Sequence, residues 1–136
     1  MIGAHVKFTP KQREVQHAVD KAAFKNISHA AFGLRKLAWS RIGRAPQDTP
    51  SAPGTPPHTH RGSFYKRALF ADVNKQQQNA VIGFRKSVVG MAASKHEHGL
   101  RSEDNKFTFP QRPTIGPALE DSLSRIGDQW KGSIGA

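Results

Sequence analysis

The strongest constraint on the fold of this chain is a long amphipathic stretch at residues 10–44. Apolar side chains recur there in steps of three and four, and because an α-helix turns about 100° per residue, they fall on one stripe. The stripe predicts one long helix or two helices placed end to end. Thr9 and Pro10 suit the cap and the first helical position, and Ser28 is a candidate cap for a restart. The members of the stripe are Val15, Val19, Ala22, Ala23, Ile27, Ala30, Ala31, Leu34, Leu37, Ala38 and Ile42.

Two large aromatic residues of this stretch, Phe32 and Trp39, lie off the stripe. They are seven positions apart and share one side of the helix, roughly 140–160° around it from Leu34. Large aromatic side chains are costly to leave in water, which implies a second buried surface. Loops of the same subunit and an adjacent subunit are equally good candidates for covering it. Phe32 and Trp39 are therefore candidate subunit-interface residues.

A proline-rich arm follows at residues 45–62 and contains five prolines. Proline fixes its backbone and removes an N–H donor, so the arm is predicted to be extended and polyproline-like. The prolines also lower the entropy lost on ordering, which suits an arm that lies along a partner and adds little to the subunit's own fold. A flexible linker is the alternative interpretation. The candidate interface prolines are Pro50, Pro53, Pro56 and Pro57.

The remaining pattern predicts a single α+β domain over residues 1–136, with a long N-terminal and a C-terminal helix packed on a small antiparallel sheet. Residues 63–84 alternate as a β-hairpin with a polar turn at 74–79. Residues 106–109 alternate as a further strand. The sheet region therefore covers residues 63–112, with an insertion at 85–105 that contains a helical turn or two, and residues 2–8 are a candidate edge strand.

The C-terminal helix is predicted at residues 116–131, with Pro117 at its first position. Apolar residues repeat along it at i, i+4, i+7 and i+11, which is the spacing of one helical face. This face is expected to provide the packing surface of the helix. Its members are Leu119, Leu123, Ile126 and Trp130.

The charge of the chain is strongly basic, with 21 lysines and arginines against 10 acidic residues and a net charge of +11. Such a balance suggests a polyanionic neighbour, either nucleic acid or an acidic protein ring, and a solvated basic face is the alternative. Basic residues alternate with aromatic ones along the predicted hairpin, as in a stacking platform for nucleic acid, although half-buried sheets show the same pattern. The candidate residues facing DNA or an acidic partner are Lys66, Arg67, Arg85 and Lys86.

The chain contains histidines and acidic residues, but they do not have the spacing that catalytic or metal-binding sites need. His58 with His60 and His96 with His98 are i, i+2 pairs, and in an extended segment each pair shares a face and can chelate weakly. Metal sites need three or four supported ligands, so surface histidines are the favoured interpretation. No spacing marks an acid–base pair, a phosphate loop or a nucleophile elbow, and the chain has no cysteine. We expect no enzyme activity, no cofactor and no metal.

Membrane association is not expected either. No apolar run approaches the roughly 18 residues that span a bilayer, and the first residues lack the apolar core of a signal peptide. We therefore expect the protein to be made in a cytoplasm and to stay there or in something assembled there.

Three stretches, in this order along the chain, resemble the tail-completion (head–tail joining) proteins of long-tailed bacteriophages. Residues 51–63 resemble that family's S-x-P-G-x-P-P…G-x-L stretch after a basic helix. Residues 80–83 leading to 96–99 are similar to its V-x-I-G…h-E-F-G pattern, and residues 110–120 to its P-x-R-P-F-L-R-P-A-L-E pattern before a terminal helix. The resemblance covers about residues 10–130.

The resemblance implies a structural virion protein that forms a homo-oligomeric ring, with six-fold symmetry expected, in the neck of the particle. There it would join the DNA-filled head to the tail, next to other neck, connector and tail-tube proteins and close to genomic DNA without reading its sequence. It implies no catalytic residues. The protein would be made in the host bacterial cytoplasm and reside in the virion.

Two other functions stay open at this point. A tail-terminator ring, which caps the tail tube, is a close relative of the first interpretation. A small basic nucleic-acid-binding protein, of which an RNA-associated protein is one form, comes from a different class and follows from the charge.

Overall fold

A computed structural model of the chain describes residues 11–46, 49–60, 64–101, 103–104 and 106–134. A long helix near the N-terminus and a helix near the C-terminus pack against a two-stranded antiparallel sheet, which confirms the α+β class. The helices are α1 (Gln12–Arg41), α2 (Phe64–Ala68), α3 (Lys86–Val89), α4 (Ala92–His98) and α5 (Ile115–Asp128), and the strands are β1 (Leu69–Asn74), β2 (Asn79–Phe84), β3 (Leu100–Arg101) and β4 (Phe107–Phe109).

The first helix, α1, runs as one helix through the position where a restart was an alternative. The Ser28 hydroxyl donates to the carbonyl oxygen of Phe24, one turn earlier, and so does not cap a new helix. The predicted cap Thr9, the first-turn Pro10 and the candidate strand at 2–8 lie outside the described residues. The predicted helix at 10–44 is therefore confirmed over Gln12–Arg41.

The predicted hairpin is confirmed for β1 and β2, which pair antiparallel over all six residues of each strand. The side-chain oxygen of Asn74 accepts hydrogen bonds from the N–H groups of Gln76 and Gln77, both at 2.9 Å, and this closes the turn. Gln78 then adopts a φ of 50°, in the left-handed region, as the chain reverses. Local side-chain chemistry thus explains the turn.

The prediction that the hairpin begins before residue 69 is wrong, because residues 64–68 form the short helix α2. These residues lie beyond the last paired residues of the two strands. The N–H of Arg85 donates to the carbonyl oxygen of Ala68 at 2.8 Å, which joins the end of α2 to the end of β2. The insertion at 85–105 is also more helical than predicted, since it contains α3 and α4.

The strand at 106–109 is confirmed as β4, but it does not extend the hairpin. It pairs antiparallel with β3 and forms a second two-stranded sheet. Gly99 ends α4 with a φ of 72°, a conformation that favours glycine, and directs the chain into β3. The partner of β4 therefore comes from within the predicted insertion.

The core lies where α1, β1 and α5 meet, and many of its side chains are small. Leu34 and Ala38 of α1, Leu69 of β1 and Ala118 of α5 are buried against one another. Ile42, just after α1, is fully buried as well. Small residues at a helix contact permit a close approach of the two helices, because little side chain stands between them.

The proline-rich arm folds back onto its own subunit. The N–H and the hydroxyl of Thr59 both donate to the carbonyl oxygen of Gly43, at 2.9 and 3.1 Å, so the two ends of the arm meet beside the end of α1. Ser51, Pro57 and Thr59 are buried. The arm therefore packs on its own subunit, where three of its residues are buried and several of its backbone groups form hydrogen bonds. That it adds little to the stability of the subunit's own fold stays a prediction.

Candidate functional site

The N-terminus of α5 is held by a carboxylate from another helix. Glu97 of α4 accepts hydrogen bonds from the N–H groups of Thr114, Ile115 and Gly116, at 2.9, 3.2 and 2.7 Å. The first N–H groups of a helix have no partner within it, and a negative charge at this end is stabilised by the helix dipole. Glu97 therefore supplies the cap that no side chain of α5 itself provides.

The turn before α5 is held by hydrogen bonds to backbone carbonyl oxygens. The Arg112 guanidinium donates to the carbonyl oxygen of Ser51 at 3.0 Å, and the Arg112 N–H donates to that of His96 at 2.6 Å. The N–H of Gly54 donates to the carbonyl oxygen of Gln111 at 2.8 Å. Residues from 51–63, 96–99 and 110–120 therefore meet in one place, which we call the α5 junction.

Aromatic rings fill the space beside the α5 junction. The Tyr65 ring lies 4.4 Å from that of Phe84, and the His96 ring stands edge-on to Tyr65 and to Phe109, at 5.5 and 5.2 Å between centroids. Burial, and next the charge of Glu97, raise the pKa of the Tyr65 hydroxyl. Burial, and next the charge of Arg112, lower the pKa of His96. Both side chains are therefore held in their neutral forms at neutral pH.

The two histidine pairs do not converge on a ligand. His58 and His60 each place Nδ1 near a backbone carbonyl oxygen, that of Thr49 at 3.2 Å and that of Ala45 at 3.1 Å. The shared face predicted for the second pair is wrong, because residues 96 and 98 are in α4, where an i, i+2 pair diverges by about 200°. Within the described residues, no three histidine, aspartate or glutamate side chains are grouped so that they could hold a metal ion.

The candidate interface residues Phe32 and Trp39 lie on the outer side of α1. Their side chains are 52% and 47% exposed, respectively, so the described part of the subunit leaves both partly uncovered. The Lys66 ammonium lies 4.2 Å from the centroid of the Trp39 ring, a cation–π contact. We call these two residues the α1 outer face.

A second uncovered apolar surface lies on α5, and it corrects the role expected of the C-terminal stripe. Leu119 and Leu123 are exposed, as is Trp130 just beyond the helix, whereas Ala118 and Ser122 are buried. The helix is therefore rotated so that its small residues face the core and most of the apolar stripe faces outward. We call Leu119, Leu123 and Trp130 the α5 outer face.

Sequence reasoning missed both the α5 outer face and Glu97, and only the first has a signal in the sequence. Ala118 and Ser122 are small residues one turn apart, which is the pattern of a close helix contact. Ser122 lines a small gap between α1 and α5, together with Gly33 and Leu34. For Glu97 the sequence gives no signal, because Thr114 at the start of α5 is itself a residue type that commonly caps a helix, and only the structure shows that its side chain does not do so.

The four candidate basic residues lie close together on α2 and at the start of α3, two short helices that contact each other. Arg67 lies 5.8 Å from the ring of Phe64, which is exposed. Tyr65 and Phe84, however, pack on each other and are partly buried, so they are not free to stack on bases. The arrangement offers a basic surface beside two exposed aromatic rings, those of Phe64 and Trp39, whereas two rings of the predicted stacking platform are packed against each other. The four residues are Lys66, Arg67, Arg85 and Lys86.

The four candidate prolines of the arm divide into two pairs. Pro50 and Pro53 are exposed, and the latter lies at a tip where Gly54 adopts a φ of 80°. Pro56 is half-buried and Pro57 is buried, so these two help to pack the arm on its own subunit. Of these four prolines, Pro50 and Pro53 are therefore the ones that are accessible to a neighbouring molecule.

A groove among the described residues lies between α1 and the turn of the hairpin. It has a volume of about 800 Å³ and is open to solvent. The Gln78 side chain donates to Asp20 at 2.8 Å across it, and Lys75 lies 5.7 Å from the Phe24 ring. These contacts join the hairpin turn to α1.

None of the helices described is long and apolar enough to cross a membrane. Comparison of the chain with models of known protein families finds no match, and neither do comparisons with curated proteins and with solved structures.

Proposed function

We propose that the chain is a structural virion protein of a tailed bacteriophage, a subunit of a neck ring that joins the DNA-filled head to the tail. Its partners would be further copies of itself, six in the proposed ring, and the other neck, connector and tail-tube proteins. The observation that carries the proposal is the α5 junction. Parts of all three stretches that resemble tail-completion proteins meet there: Ser51 and Gly54 of the first, and His96 and Glu97 of the second, form hydrogen bonds with residues 111–116 of the third.

The residue types in these stretches have local physical reasons. Gly54 and Gly99 both have φ values in the left-handed region, at 80° and 72°, where glycine is favoured. Glu97 accepts from three N–H groups, and Arg112 reaches a carbonyl oxygen 61 positions away in the chain. The ordered resemblance therefore corresponds to one structural unit, which supports treating it as more than a coincidence of three short motifs.

The outer surfaces of the subunit suit a ring component. The described part of the subunit leaves the α1 outer face about half exposed, and aromatic side chains are common anchors of protein interfaces. Heterologous contacts of this kind generate a ring when their rotation closes. The net charge of +11 is compatible with a position beside DNA, because phosphate contacts carry no sequence information.

The direct test is to inactivate the gene in the phage that carries it and to examine the particles by electron microscopy. We expect DNA-filled heads without tails and free tails of normal length, with joining restored by the wild-type chain supplied in trans. Antibody label should mark the neck. Tails of irregular length would indicate a tail terminator, and normal particles without label would refute the proposal.

A nucleic-acid-binding protein is the second candidate, favoured by the cluster of basic residues on α2 and α3. If the basic surface serves only a neck protein, the purified chain should bind duplex DNA weakly, without sequence preference and with a steep salt dependence. Selective binding that survives physiological salt, and that is lost when the four candidate basic residues are changed to glutamine, would favour the second candidate instead.

A further inference from the structure

The α1 outer face and the α5 outer face cannot cover each other within one subunit. Helix α5 packs near Gly33 and Leu34 of α1, and Arg41 forms an ion pair with Asp121. At about 100° per residue, Leu34 and Arg41 point roughly 140–180° away from Phe32 and Trp39, and Gly33 points about 100–120° away from them. Each subunit therefore presents two separate apolar surfaces, one on either side of the α1–α5 pair.

The charges that accompany the two surfaces have opposite signs. Helix α1 contains six basic and two acidic residues, a net charge of +4, whereas α5 contains one basic and three acidic residues, a net charge of −2. Two of the α5 acids, Asp121 and Asp128, form ion pairs with Arg41 and Lys131 of the same subunit, so Glu120 is the acidic side chain of α5 that is relevant to a contact with another copy. Lys36 lies between Phe32 and Trp39 in the sequence, and Glu120 lies between Leu119 and Leu123. Both side chains are exposed. Among the described ion pairs of the subunit, none involves Lys36 or Glu120.

Contacts between two identical faces are therefore disfavoured. Two α1 outer faces would bring Lys36 of one copy near Lys36 of the other, and two α5 outer faces would do the same with Glu120. Juxtaposed like charges oppose association, whereas complementary potentials favour it and fix its orientation. The α1 outer face of one copy and the α5 outer face of another are complementary in both apolar character and charge.

We propose that the α1 outer face of one subunit binds the α5 outer face of the next, so that copies of this chain associate head to tail. Aromatic side chains on one surface would pack against leucines on the other, with Lys36 facing Glu120 at the edge. A heterologous contact of this kind leaves one free surface of each type at the ends until a ring closes. The inference refines the proposed ring, but the contact itself does not depend on a role in phage particles.

The experiment uses a photo-reactive p-benzoylphenylalanine in place of Phe32, whose ring it preserves. The photo-reactive chain is mixed with ¹⁵N-labelled wild-type chain at high concentration and irradiated, and the cross-linked peptides are identified by mass spectrometry. We expect cross-links from position 32 to labelled peptides that contain residues 115–125. The same amino acid at Val81, an exposed position on β2, is the matched control.

Charge reversal tests the orientation. Lys36→Glu should lower the yield of this cross-link several-fold, and Glu120→Lys in the labelled partner should restore it. Cross-links from position 32 to α1 of the labelled partner would overturn the proposal in favour of a symmetric dimer, and a yield no higher than that of the Val81 control would overturn it outright. The two proposals can fail separately. If the cross-links form as expected but inactivating the gene leaves the particles intact, the head-to-tail contact stands and the neck function is refuted.

Discussion

Helices α1 and α5 differ in which face they bury: α1 buries its apolar stripe, including Leu34, whereas α5 buries small residues and leaves most of its apolar stripe outside. The inner faces, which meet in the core, include several small side chains, whereas the outer faces carry large apolar ones. Leu123, for example, is 58% exposed, while Ser122 beside it is buried. The inner set includes Ala31, Ala38, Ala118 and Ser122, and the outer set includes Phe32, Trp39, Leu119 and Leu123.

This difference teaches that the apolar character of a helix stripe does not by itself decide which side is buried. Small residues allow two helices to approach, so they can form the contact even when a more apolar face is available. Fully burying a large apolar side chain contributes about 1.5–3 kcal/mol, which the subunit leaves partly unused on its outer faces. Any partner that covers these faces would gain that contribution.

The largest predicted effect concerns Glu97, which fixes the start of α5 and hence the rotation that decides its inner face. Glu97→Ala removes the acceptor of three N–H groups, and we expect the free energy of unfolding to fall by about 2–3 kcal/mol. Urea denaturation measures the change. Glu103→Ala, at an exposed position, is the control and should have little effect; equal effects would mean that the cap does not stabilise the subunit.

The second prediction compares two neighbouring residues of α5. Ala118→Leu should overfill the inner face and lower the free energy of unfolding by about 1–3 kcal/mol. Leu119→Ala, on the outer face, should change it by about 0.5 kcal/mol or less. If the apolar stripe were the packed surface, the order of the two effects would be reversed, so one pair of urea titrations decides which face is buried.

A third, smaller effect is expected for the α1 outer face. Phe32→Ser combined with Trp39→Ser should leave the subunit folded, with a loss of about 1 kcal/mol that comes mainly from the Lys66–Trp39 contact. Circular dichroism and thermal melting test this expectation. Unfolding of the double variant would show that the face belongs to the subunit's own core, whereas a folded variant that fails to join heads to tails would support an interface.

The smallest effect is a pH dependence that comes from the α5 junction. The folded state keeps His96 neutral to a lower pH than the unfolded chain does, because burial and Arg112 lower its pKa from the ordinary value of 6.5. The unfolded state therefore binds more protons just below pH 6.5, and the free energy of unfolding should fall as the pH is lowered through that range.

Urea titrations across this pH range should show a shallower slope for His96→Gln than for the wild type. His29→Gln, at an exposed position of α1, serves as the control. An unchanged slope in the His96 variant would assign the pH dependence to other groups. The comparison rests on slopes, because loss of the ring contacts will also lower the stability of the His96 variant at every pH.

Features that depend on neighbouring residues could be predicted from the sequence alone. The period of apolar residues predicted α1 and α5, and alternation with a polar turn predicted β1 and β2. The candidate interface residues Phe32 and Trp39 were recognised because their spacing places them on one side of a regular helix. Each of these features is encoded within one or a few turns of the chain.

Features that depend on contacts between distant residues were decided only by the tertiary structure. Three such features involve backbone groups: the return of the proline-rich arm, the pairing of β4 with β3 and the Glu97 cap. The pattern of side chains along the sequence does not predict the partners of these backbone groups. The rotation of α5 depends on how closely Ala118 and Ser122 can approach α1, which is a property of two surfaces together. The period of apolar residues identifies the faces of a helix, but only tertiary packing decides which face is buried in the core.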